Sequence, residues 1–349
     1  MKITVIVCTF NRCDSLRPTL ESLALLRMPD SLQWEAIIVD NNSKDRTRAV
    51  VDEYVARFPG RFRYHFEPQQ GLSFARNSGI HQADGDILVF TDDDVIVEPT
   101  WLEQMAVPLI AGKCSGVGGK ILPARDFVCP VWLELKGQWS HGGVLALFDP
   151  NQPAGETTTT PFGASMAFRK EMFERYGLFR TDLGRKGNNA MSNEDTEFGR
   201  RLLAGGERLW YEPSAVVYHT IDQKRVTPRY FLKFWYNYGR SESRERSNRS
   251  NVWVFPRWFF SLPLILFNVL PTRVGIWLTS SNPKRRFFFK CVVWKTFGEM
   301  TELPRIWLDE RRRKNKAPET QNTALDVPKA NGSLREFGPG MENRPPGVS

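Results

Sequence analysis

The sequence lacks closely spaced cysteines. Its five cysteines are scattered over 349 residues, and none forms the CxxC pair that is typical of zinc ligands and redox disulfides. They are Cys8, Cys13, Cys114, Cys129 and Cys291. This distribution argues against disulfides and against a zinc site, and it fits a protein exposed to the reducing cytosol.

No secretory leader is predicted from the first residues, and a long apolar run is also missing. The segment MKITVIVCTF has neither the apolar core nor the small-residue cleavage site of a signal peptide. The apolar stretch at residues 258–270 has 13 residues, whereas a membrane-spanning helix needs about 20. Arg257 and Pro271 bound it, and Pro263 and Asn268 interrupt it. This composition favours an interfacial or re-entrant membrane segment, with an ordinary buried helix as the alternative.

Positive charge is unevenly distributed along the chain. Residues 224–316 contain 21 Lys and Arg against 6 Asp and Glu, a balance of +15, so the other residues carry −6 of the total of +9. Six of the eleven tryptophans lie in the same region, interleaved with basic residues. This mixture favours contact with an anionic membrane surface. A solvated helical face and a nucleic-acid-binding surface are the alternatives.

Strand-like and helix-like segments alternate over the first 125 residues. Asp14 is placed to cap the first helix. This order implies a parallel sheet with helices on both faces, and such sheets bind ligands at the carboxyl ends of their strands. Strands are predicted at residues 3–10, 34–41, 61–68 and 86–92, and helices at residues 14–26, 44–58 and 72–83.

Three consecutive carboxylates, Asp92, Asp93 and Asp94, follow the fourth predicted strand. Two carboxylates about 4 Å apart repel by roughly 4 kcal/mol at an effective dielectric of about 20, so solvent, basic neighbours or a cation must offset the charge. Because alternate side chains share one face of a strand, we expect Asp92 and Asp94 to project together and Asp93 to point away. Such a pair suits Mg²⁺ or Mn²⁺, and a solvated acidic turn is the alternative.

Composition divides the chain into three parts. Residues 1–222 are predicted to form one α/β domain with halves at about 1–125 and 126–222. Residues 223–312 are predicted to form a basic, aromatic-rich helical extension. Residues 313–349 are polar and rich in Pro and Gly, which predicts a disordered tail.

Six short motifs lie in order along the first part of the chain: VIVCTFNR (5–12), IIVDNNS (37–43), GLSFARNSG (71–79), VFTDDD (89–94), FGASMAFR (162–169) and NED (193–195). In their order and spacing they resemble those of the family 2 inverting glycosyltransferases of bacterial polysaccharide biosynthesis. The resemblance covers roughly residues 1–220 and implies the GT-A fold, a Rossmann-like, mixed, mostly parallel sheet flanked by helices.

The resemblance implies a donor site at the strand ends. Asp40 matches the acid that holds the nucleobase, and a carboxylate favours uracil or guanine because it accepts from a base N–H. An Asx-turn is the alternative role of Asp40. Arg76 is placed to pair with the diphosphate or with Asp92. The residues assigned to nucleotide-sugar binding are Thr9, Asn11, Arg12, Asp40, Arg76, Asp92 and Asp93.

The resemblance also implies metal, catalytic and acceptor residues. Asp94 matches the metal ligand, and His219 is either a second ligand or a structural histidine. Asp195 matches the general base that deprotonates the acceptor hydroxyl, with Glu194 in support; a capping box between Ser192 and Asp195 is compatible with this role. The loop that lines the acceptor site corresponds to Gly163, Ala164 and Ser165.

Together these features predict a metal-dependent inverting glycosyltransferase that uses Mg²⁺ or Mn²⁺. The expected partners are a UDP- or GDP-linked sugar, a saccharide or polyprenyl-linked acceptor and an anionic membrane surface, without nucleic acid. The expected location is the cytoplasmic face of the plasma (inner) membrane, by peripheral or re-entrant association.

Other functions remain open at this stage. A nucleotidyltransferase-like enzyme usually has a Gly-rich loop and a Lys after the first strand, which the segment TFNR does not match. A basic nucleic-acid-binding or membrane-binding protein with an inactive GT-A domain is a second alternative. A glycosidase with two carboxylates is a third, and it needs no metal.

Overall fold

The computed structural model of the protein describes residues 1–186, 192–249 and 265–316. Within these residues the chain forms one nine-stranded sheet with the order β3-β2-β1-β4-β8-β6-β9-β5, and β7 pairs with β9. The strands are β1 (Lys2–Thr9), β2 (Gln33–Asp40), β3 (Phe62–Phe66), β4 (Ile87–Asp92), β5 (Val95–Val97), β6 (Gly116–Pro123), β7 (Gly155–Thr157), β8 (Met166–Arg169) and β9 (Leu209–His219).

Helices cover the sheet and continue beyond its last strand. A short 3₁₀ helix at Gly142–Leu145 and another at Gln223–Arg225 lie between the larger elements, and a π-helical turn, Ile265–Val269, precedes α8. The helices of the described residues are α1 (Cys13–Ala24), α2 (Thr47–Arg57), α3 (Leu72–Gln82), α4 (Trp101–Ile110), α5 (Glu171–Tyr176), α6 (Glu194–Ala204), α7 (Pro228–Arg249), α8 (Leu270–Thr279) and α9 (Pro283–Lys316).

The first four predicted strands form the parallel half of the sheet. β1 pairs in parallel with β2 and with β4, and β2 pairs in parallel with β3. The register places Thr9 opposite Asp40 and Cys8 opposite Asp92, so these strands end at one edge of the sheet. β8 then pairs antiparallel with β4 and makes the sheet mixed. The predicted alternation of strands and helices is confirmed in this half.

Both faces of the sheet are buried, because alternate residues of each strand point to opposite sides. On one face, Val5 and Val7 of β1 belong to the core that also contains Leu16 and Leu20 of α1. On the other face, Ile6 belongs to a second core, which takes in residues of α3 and α6. The prediction of helices on both faces is therefore correct.

The start of α1 differs from the prediction. Asp14 lies within the first turn. The N-cap residue is Arg12, and its side chain makes no capping hydrogen bond. Instead, the backbone N–H of Cys13 donates to Asp45 Oδ2 at 3.0 Å. Asp14 is therefore not the cap, because Asp45, the hydrogen-bond acceptor at this helix start, belongs to the loop that follows β2.

The C-terminal helices pack on one another through charged and small residues. Glu302 of α9 is fully buried and accepts from Arg240 Nε at 2.6 Å and from Arg244 Nε at 2.5 Å, both on α7. A Cβ added at Gly239 would collide with the carbonyl oxygen of Lys295 on the facing helix. The two helices are thus held in close backbone contact.

Aromatic residues of the C-terminal helices also contact the α/β domain. The Trp132 ring lies 5.4 Å from the Phe231 ring of α7 and 5.0 Å from the Phe287 ring of α9. Trp139 packs in the same way on Phe288 and Phe289, with centroids 5.5 and 5.7 Å away. Part of the aromatic content that favoured a membrane interface therefore forms an intramolecular interface.

Two predictions about the C-terminal part concern residues that lie partly outside the described chain. Residues 258–264 of the apolar stretch lie outside the described residues, as do residues 317–349 of the predicted tail. The helix α9 reaches Lys316, so the predicted boundary at residue 312 is wrong by four residues. Among the described helices, none has the length and apolar character that crossing a membrane requires.

Candidate active site

A cleft of about 690 Å³ lies at the carboxyl ends of β1 and β4. Most of the predicted site residues line it, whereas Asn11, Asp40 and Ser165 do not. The predicted residues that line the cleft are Thr9, Arg12, Arg76, Asp92, Asp93, Asp94, Gly163, Ala164, Glu194, Asp195 and His219. The fold therefore brings together side chains that are up to about two hundred positions apart in the sequence.

Asp92, Asp94 and His219 form a candidate metal site. Each offers one ligand atom, and these atoms lie within 4.8 Å of one another. The position of His219 follows from the sheet, because β5 and β9 pair antiparallel and place His219 opposite Val95, the residue after Asp94. His219 Nε2 lies 3.2 Å from Asp94 Oδ1. Two carboxylates and an imidazole are ligands that suit Mn²⁺.

Asp94 is held in its charged form. Burial opposes ionisation of this carboxyl, but the hydrogen bond with His219 and the charges of Arg12 and Arg225 outweigh burial and lower its pKa below the usual range. Asp94 therefore carries a negative charge in the cleft.

Asp93 is not among the candidate metal ligands, but its carboxylate lies near that of Asp94, because the two residues form a turn after β4 and the alternation predicted for a strand does not apply there. Its Oδ2 accepts from the Thr9 hydroxyl at 2.7 Å, and its Oδ1 accepts from Arg12 Nη1 at 2.7 Å. The same Arg12 nitrogen lies 2.7 Å from Asp94 Oδ2. Burial raises the pKa of Asp93 to about 6, and Arg12 opposes this shift while Asp94 adds to it. Basic neighbours thus offset much of the repulsion within the triplet.

Arg76 is buried between two acidic side chains. Its Nη1 donates to Glu194 Oε1 at 2.6 Å, and its Nη2 lies 3.6 Å from Asp92 Oδ1. A Cβ added at Gly163 would collide with this guanidinium, so a larger residue there would have to displace Arg76 from its position. Burial raises the pKa of Glu194, the nearby Asp195 adds to this rise, and Arg76 opposes it. Glu194 therefore fixes the position of Arg76.

Asp195 lies in the first turn of α6 and lines the cleft. Its Oδ2 accepts from the backbone N–H of Gly163 at 2.8 Å, and its Oδ1 accepts from the N–H of Thr196 at 2.7 Å. The capping box predicted between Ser192 and Asp195 is not formed, because the N-cap residue is Asn193, with φ of 78°. The Gly163 contact, rather than a cap, orients this carboxylate.

Comparison with known proteins decides the family. Residues 4–177 match the family described as Glycosyl transferase family 2. The chain belongs to this family. The segment that matches contains the Asp92–Asp94 triplet and Gly163, and the predicted glycosyltransferase activity is confirmed at this level.

Two curated relatives of this glycosyltransferase are similar over most of their length. The succinoglycan biosynthesis protein ExoM of Rhizobium meliloti is 24% identical over 84% of this chain and 90% of its own. The glucosyl-dolichyl phosphate glucuronosyltransferase of Haloferax volcanii is 27% identical over 69% of this chain and 76% of its own.

Solved structures confirm the GT-A fold. The mannosyltransferase PcManGT from Pyrobaculum calidifontis, in complex with GDP-Man and Mn²⁺, aligns with a TM-score of 0.52 at 17% identity, covering 91% of this chain and 76% of that one. TarS 1–349 of S. aureus, in complex with UDP-GlcNAc, aligns with a TM-score of 0.50 at 16% identity, covering 90% and 92%.

The turn after β1 of the glycosyltransferase is tied to the turn after β2. Asn11, with φ of 52°, accepts from the N–H of Lys44 at 2.7 Å and donates its own N–H to Ser43 Oγ at 2.9 Å. Asp40 accepts from the N–H of Ser43 at 2.8 Å and from the Tyr64 hydroxyl at 2.9 Å. Asp40 therefore has a structural role in closing the turn after β2, although its bond reaches three residues on rather than the two of an Asx-turn, and its contact with a nucleobase stays a prediction.

The predicted acceptor loop of the glycosyltransferase lies only partly on the cleft. Gly163 and Ala164 line it. Ser165 is fully buried and accepts from the Trp101 indole N–H at 3.0 Å, beside Met105. The assignment of Ser165 to acceptor contact needs correction, because its side chain points into the core.

Arg225 is a residue of the cleft that the sequence did not single out. It follows β9 in a short 3₁₀ helix, and its Nη1 lies 4.0 Å from Asp94 Oδ2. Its Nε donates to the Tyr230 hydroxyl at 3.1 Å, while its Nη2 is buried with no hydrogen-bond partner among residues 1–186, 192–249 and 265–316. No motif marks this position, since its location follows from where β9 ends.

Proposed function

We propose that this glycosyltransferase moves a sugar from a UDP- or GDP-linked donor to a saccharide or polyprenyl-linked acceptor, with inversion, in cell-surface or extracellular polysaccharide synthesis. One observation carries the proposal: Asp92, Asp94, His219 and Asp195 line the same cleft. The succinoglycan biosynthesis relative and the neighbours that bind nucleotide sugars support this choice of substrates.

The metal in this proposal is Mg²⁺ or Mn²⁺. The residues that would hold it are Asp92, Asp94 and His219, whose ligand atoms lie close enough together for one ion. When bound, such an ion supplies positive charge that stabilises the departing diphosphate. Carboxylate ligands also fit a hard cation.

The donor would lie along the strand ends. Thr9, Arg12 and Asn41 line this part of the cleft and face the nucleotide half of the donor. Arg12 and Arg225 provide positive charge close to Asp94, where the diphosphate would sit.

Asp195 acts in this proposal as the general base. It takes the proton of the acceptor hydroxyl while the hydroxyl oxygen bonds to the anomeric carbon of the donor sugar. The bond from that carbon to the diphosphate oxygen breaks on the opposite face, so the configuration inverts. A positioned base contributes roughly 10²- to 10⁴-fold to the rate.

The test uses the full chain with a panel of UDP- and GDP-sugars and Mn²⁺, and it measures slow donor hydrolysis without acceptor. We expect one donor to be hydrolysed, EDTA to abolish the reaction, and Asp94→Ala to lose Mn²⁺-dependent donor binding. We expect Asp195→Asn to keep donor binding and to slow this hydrolysis by about 10²-fold or more, because water then takes the place of the acceptor hydroxyl that Asp195 deprotonates. Hydrolysis that persists in EDTA contradicts the proposal.

We also propose that the enzyme acts at the cytoplasmic face of the plasma (inner) membrane. Val128 and Val131 are 78% and 93% exposed on the loop that follows β6. The start of α9 lies beside this loop, because Lys284 Nζ is 3.7 Å from Glu134 and Arg285 lies over the Trp139 ring. Apolar side chains next to basic ones support binding to an anionic lipid surface.

A further inference from the structure

One part of the cleft has no role in donor binding or proton transfer. It is contributed by the loop before the first 3₁₀ helix, by Phe162 and by α7. Its aromatic residues, here called the aromatic wall, are His141, Phe162, Phe234, Trp235 and Tyr238. The α7 members are half-buried and so keep surface open to the cleft.

The indole of Trp235 is held in a fixed orientation. Its Nε1–H donates to His141 Nδ1 at 3.3 Å, and the two rings are perpendicular at 6.0 Å. The Phe288 ring supports the indole at 5.7 Å. Burial lowers the pKa of His141 to about 4, so the imidazole is neutral and its Nδ1 can accept. A fixed ring costs little entropy when a ligand stacks on it.

A buried hydrogen-bond donor lies next to the proposed base. Asn193 directly precedes Glu194 and Asp195, lines the cleft and is 5% exposed. Its amide nitrogen is buried without a hydrogen-bond partner in the part of the chain that the structure describes. An unpaired buried amide is costly, which indicates a polar ligand at this position.

The aromatic wall and the base are held on connected helices. The N–H of Ser192, just before α6, donates to Ser241 Oγ of α7 at 3.0 Å. Arg200 of α6 pairs with Glu245 of α7 at 2.7 Å. The positions of Trp235 and Asp195 are therefore coupled through two polar contacts.

We propose that the aromatic wall is the acceptor subsite and that it binds the ring of a saccharide. The C–H face of a sugar ring packs on the π-face of Trp235, whose quadrupole is negative. The Asn193 amide donates to a sugar hydroxyl close to the hydroxyl that Asp195 deprotonates. This inference rests on the proposed function and names the chemical class of its acceptor.

The experiment measures saccharide binding to the full chain by saturation-transfer-difference NMR. The probes are tetrasaccharides of glucose, galactose, mannose or N-acetylglucosamine, together with farnesyl phosphate as an apolar competitor. We expect at least one tetrasaccharide to bind through its ring C–H protons. Trp235→Leu, which keeps apolar volume without an aromatic ring, weakens this binding about tenfold or more, and Trp235→Phe restores most of it.

The matched control is Trp294→Leu, since Trp294 is a half-buried tryptophan of α9 that does not line the cleft. This variant keeps saccharide binding. The proposal is overturned if no tetrasaccharide binds, if binding survives Trp235→Leu, or if farnesyl phosphate alone binds in a Trp235-dependent way.

Donor hydrolysis separates this inference from the proposed function. If the wild-type chain hydrolyses a sugar nucleotide, the donor half of the cleft is active, whether or not a saccharide binds. Hydrolysis without saccharide binding rejects the acceptor subsite alone. If no donor is hydrolysed at all, the proposed function fails first.

Discussion

Arginine side chains balance the carboxylates of the active site. Arg12 contacts both Asp93 and Asp94, and Arg76 lies between Asp92 and Glu194. Removing one partner of such a buried pair leaves an uncompensated charge, which is strongly destabilising. Arg225 differs from these two, because it lies 4.0 Å from Asp94 and keeps one nitrogen unpaired among the described residues.

We predict that Arg225→Gln weakens the binding of UDP or GDP in the presence of Mn²⁺ by about tenfold. The reason is that hydrogen bonds to charged groups contribute about 1.5–3 kcal/mol, and Arg225 Nη2, which has no hydrogen-bond partner among the described residues, would donate to a diphosphate oxygen. Isothermal titration calorimetry measures the change. Arg229→Gln is the control, because Arg229 is exposed at the start of α7. Equal affinities in both variants contradict the role of Arg225.

At the scale of elements, Asp45 connects the starts of two helices. It accepts from the N–H of Cys13 at the start of α1 and from the N–H of Thr47 at the start of α2, each at 3.0 Å. Burial opposes its ionisation, but the hydrogen bonds from Thr47 and Cys13 outweigh burial and lower the pKa of Asp45 to about 2.

We predict that Asp45→Ala lowers the free energy of unfolding by about 1 kcal/mol at pH 7, the usual effect of losing a cap. Because the folded pKa is lower than the ordinary 3.8, this contribution is present above about pH 4 and is lost as the pH falls towards 2. Urea unfolding at several pH values tests both statements. Asp14→Ala is the control and changes stability by less than about 0.5 kcal/mol, since Asp14 caps no helix.

The crossing of α7 and α9 depends on glycine. A Cβ added at Gly298 would collide with the carbonyl oxygen of Tyr236, in the same way that Gly239 meets Lys295. We predict that Gly298→Ala lowers the free energy of unfolding by about 1–3 kcal/mol, because the helices must separate. Gly275→Ala, on α8 with open space around it, leaves stability unchanged or raises it by about 0.5–1 kcal/mol. Thermal unfolding compares the two, and a stable Gly298→Ala variant contradicts the packing argument.

At the scale of the whole molecule, the acidic and basic parts of the chain have different tasks. The acidic α/β domain forms most of the cleft, and the basic C-terminal helices contribute three of the five residues of the aromatic wall while packing on that domain. The first turn of α9 adds Lys284 and Arg285 next to the exposed loop that carries Val128 and Val131. The surface proposed to bind the membrane therefore includes residues of both the α/β domain and the C-terminal helices.

We predict that replacing Val128 and Val131 together by Asp reduces flotation with vesicles of phosphatidylglycerol and phosphatidylethanolamine several-fold. The change removes apolar contact and adds repulsion from the anionic lipid. The control replaces Val107 and Ile110 of α4, which are 47% and 40% exposed, by Asp. If the control reduces flotation as much, net charge rather than this surface controls binding.

Much of the fold was predictable because strand and helix periodicity is local. The alternation over the first 125 residues and the strand-end position of Asp92 both follow from neighbouring residues. The cap of α1 and the capping box at the start of α6 were predicted wrongly, since Asp14 and Ser192 have suitable neighbours in sequence but other residues occupy these capping positions. Ser165 was placed on the acceptor loop by its motif, yet Trp101 holds it in the core.

The sequence by itself determined the family, the end of the sheet at which the site lies, and which acidic residues belong to the site. Six motifs and the local periodicity of strands and helices are sufficient for these. Only the tertiary structure decided that His219 faces Asp94, that Arg225 lines the cleft and that the Trp235 indole donates a hydrogen bond to His141. These contacts join residues from different elements, up to 131 positions apart for Arg225 and Asp94. Strand register and helix packing set such contacts, and both result from the burial of side chains throughout the domain.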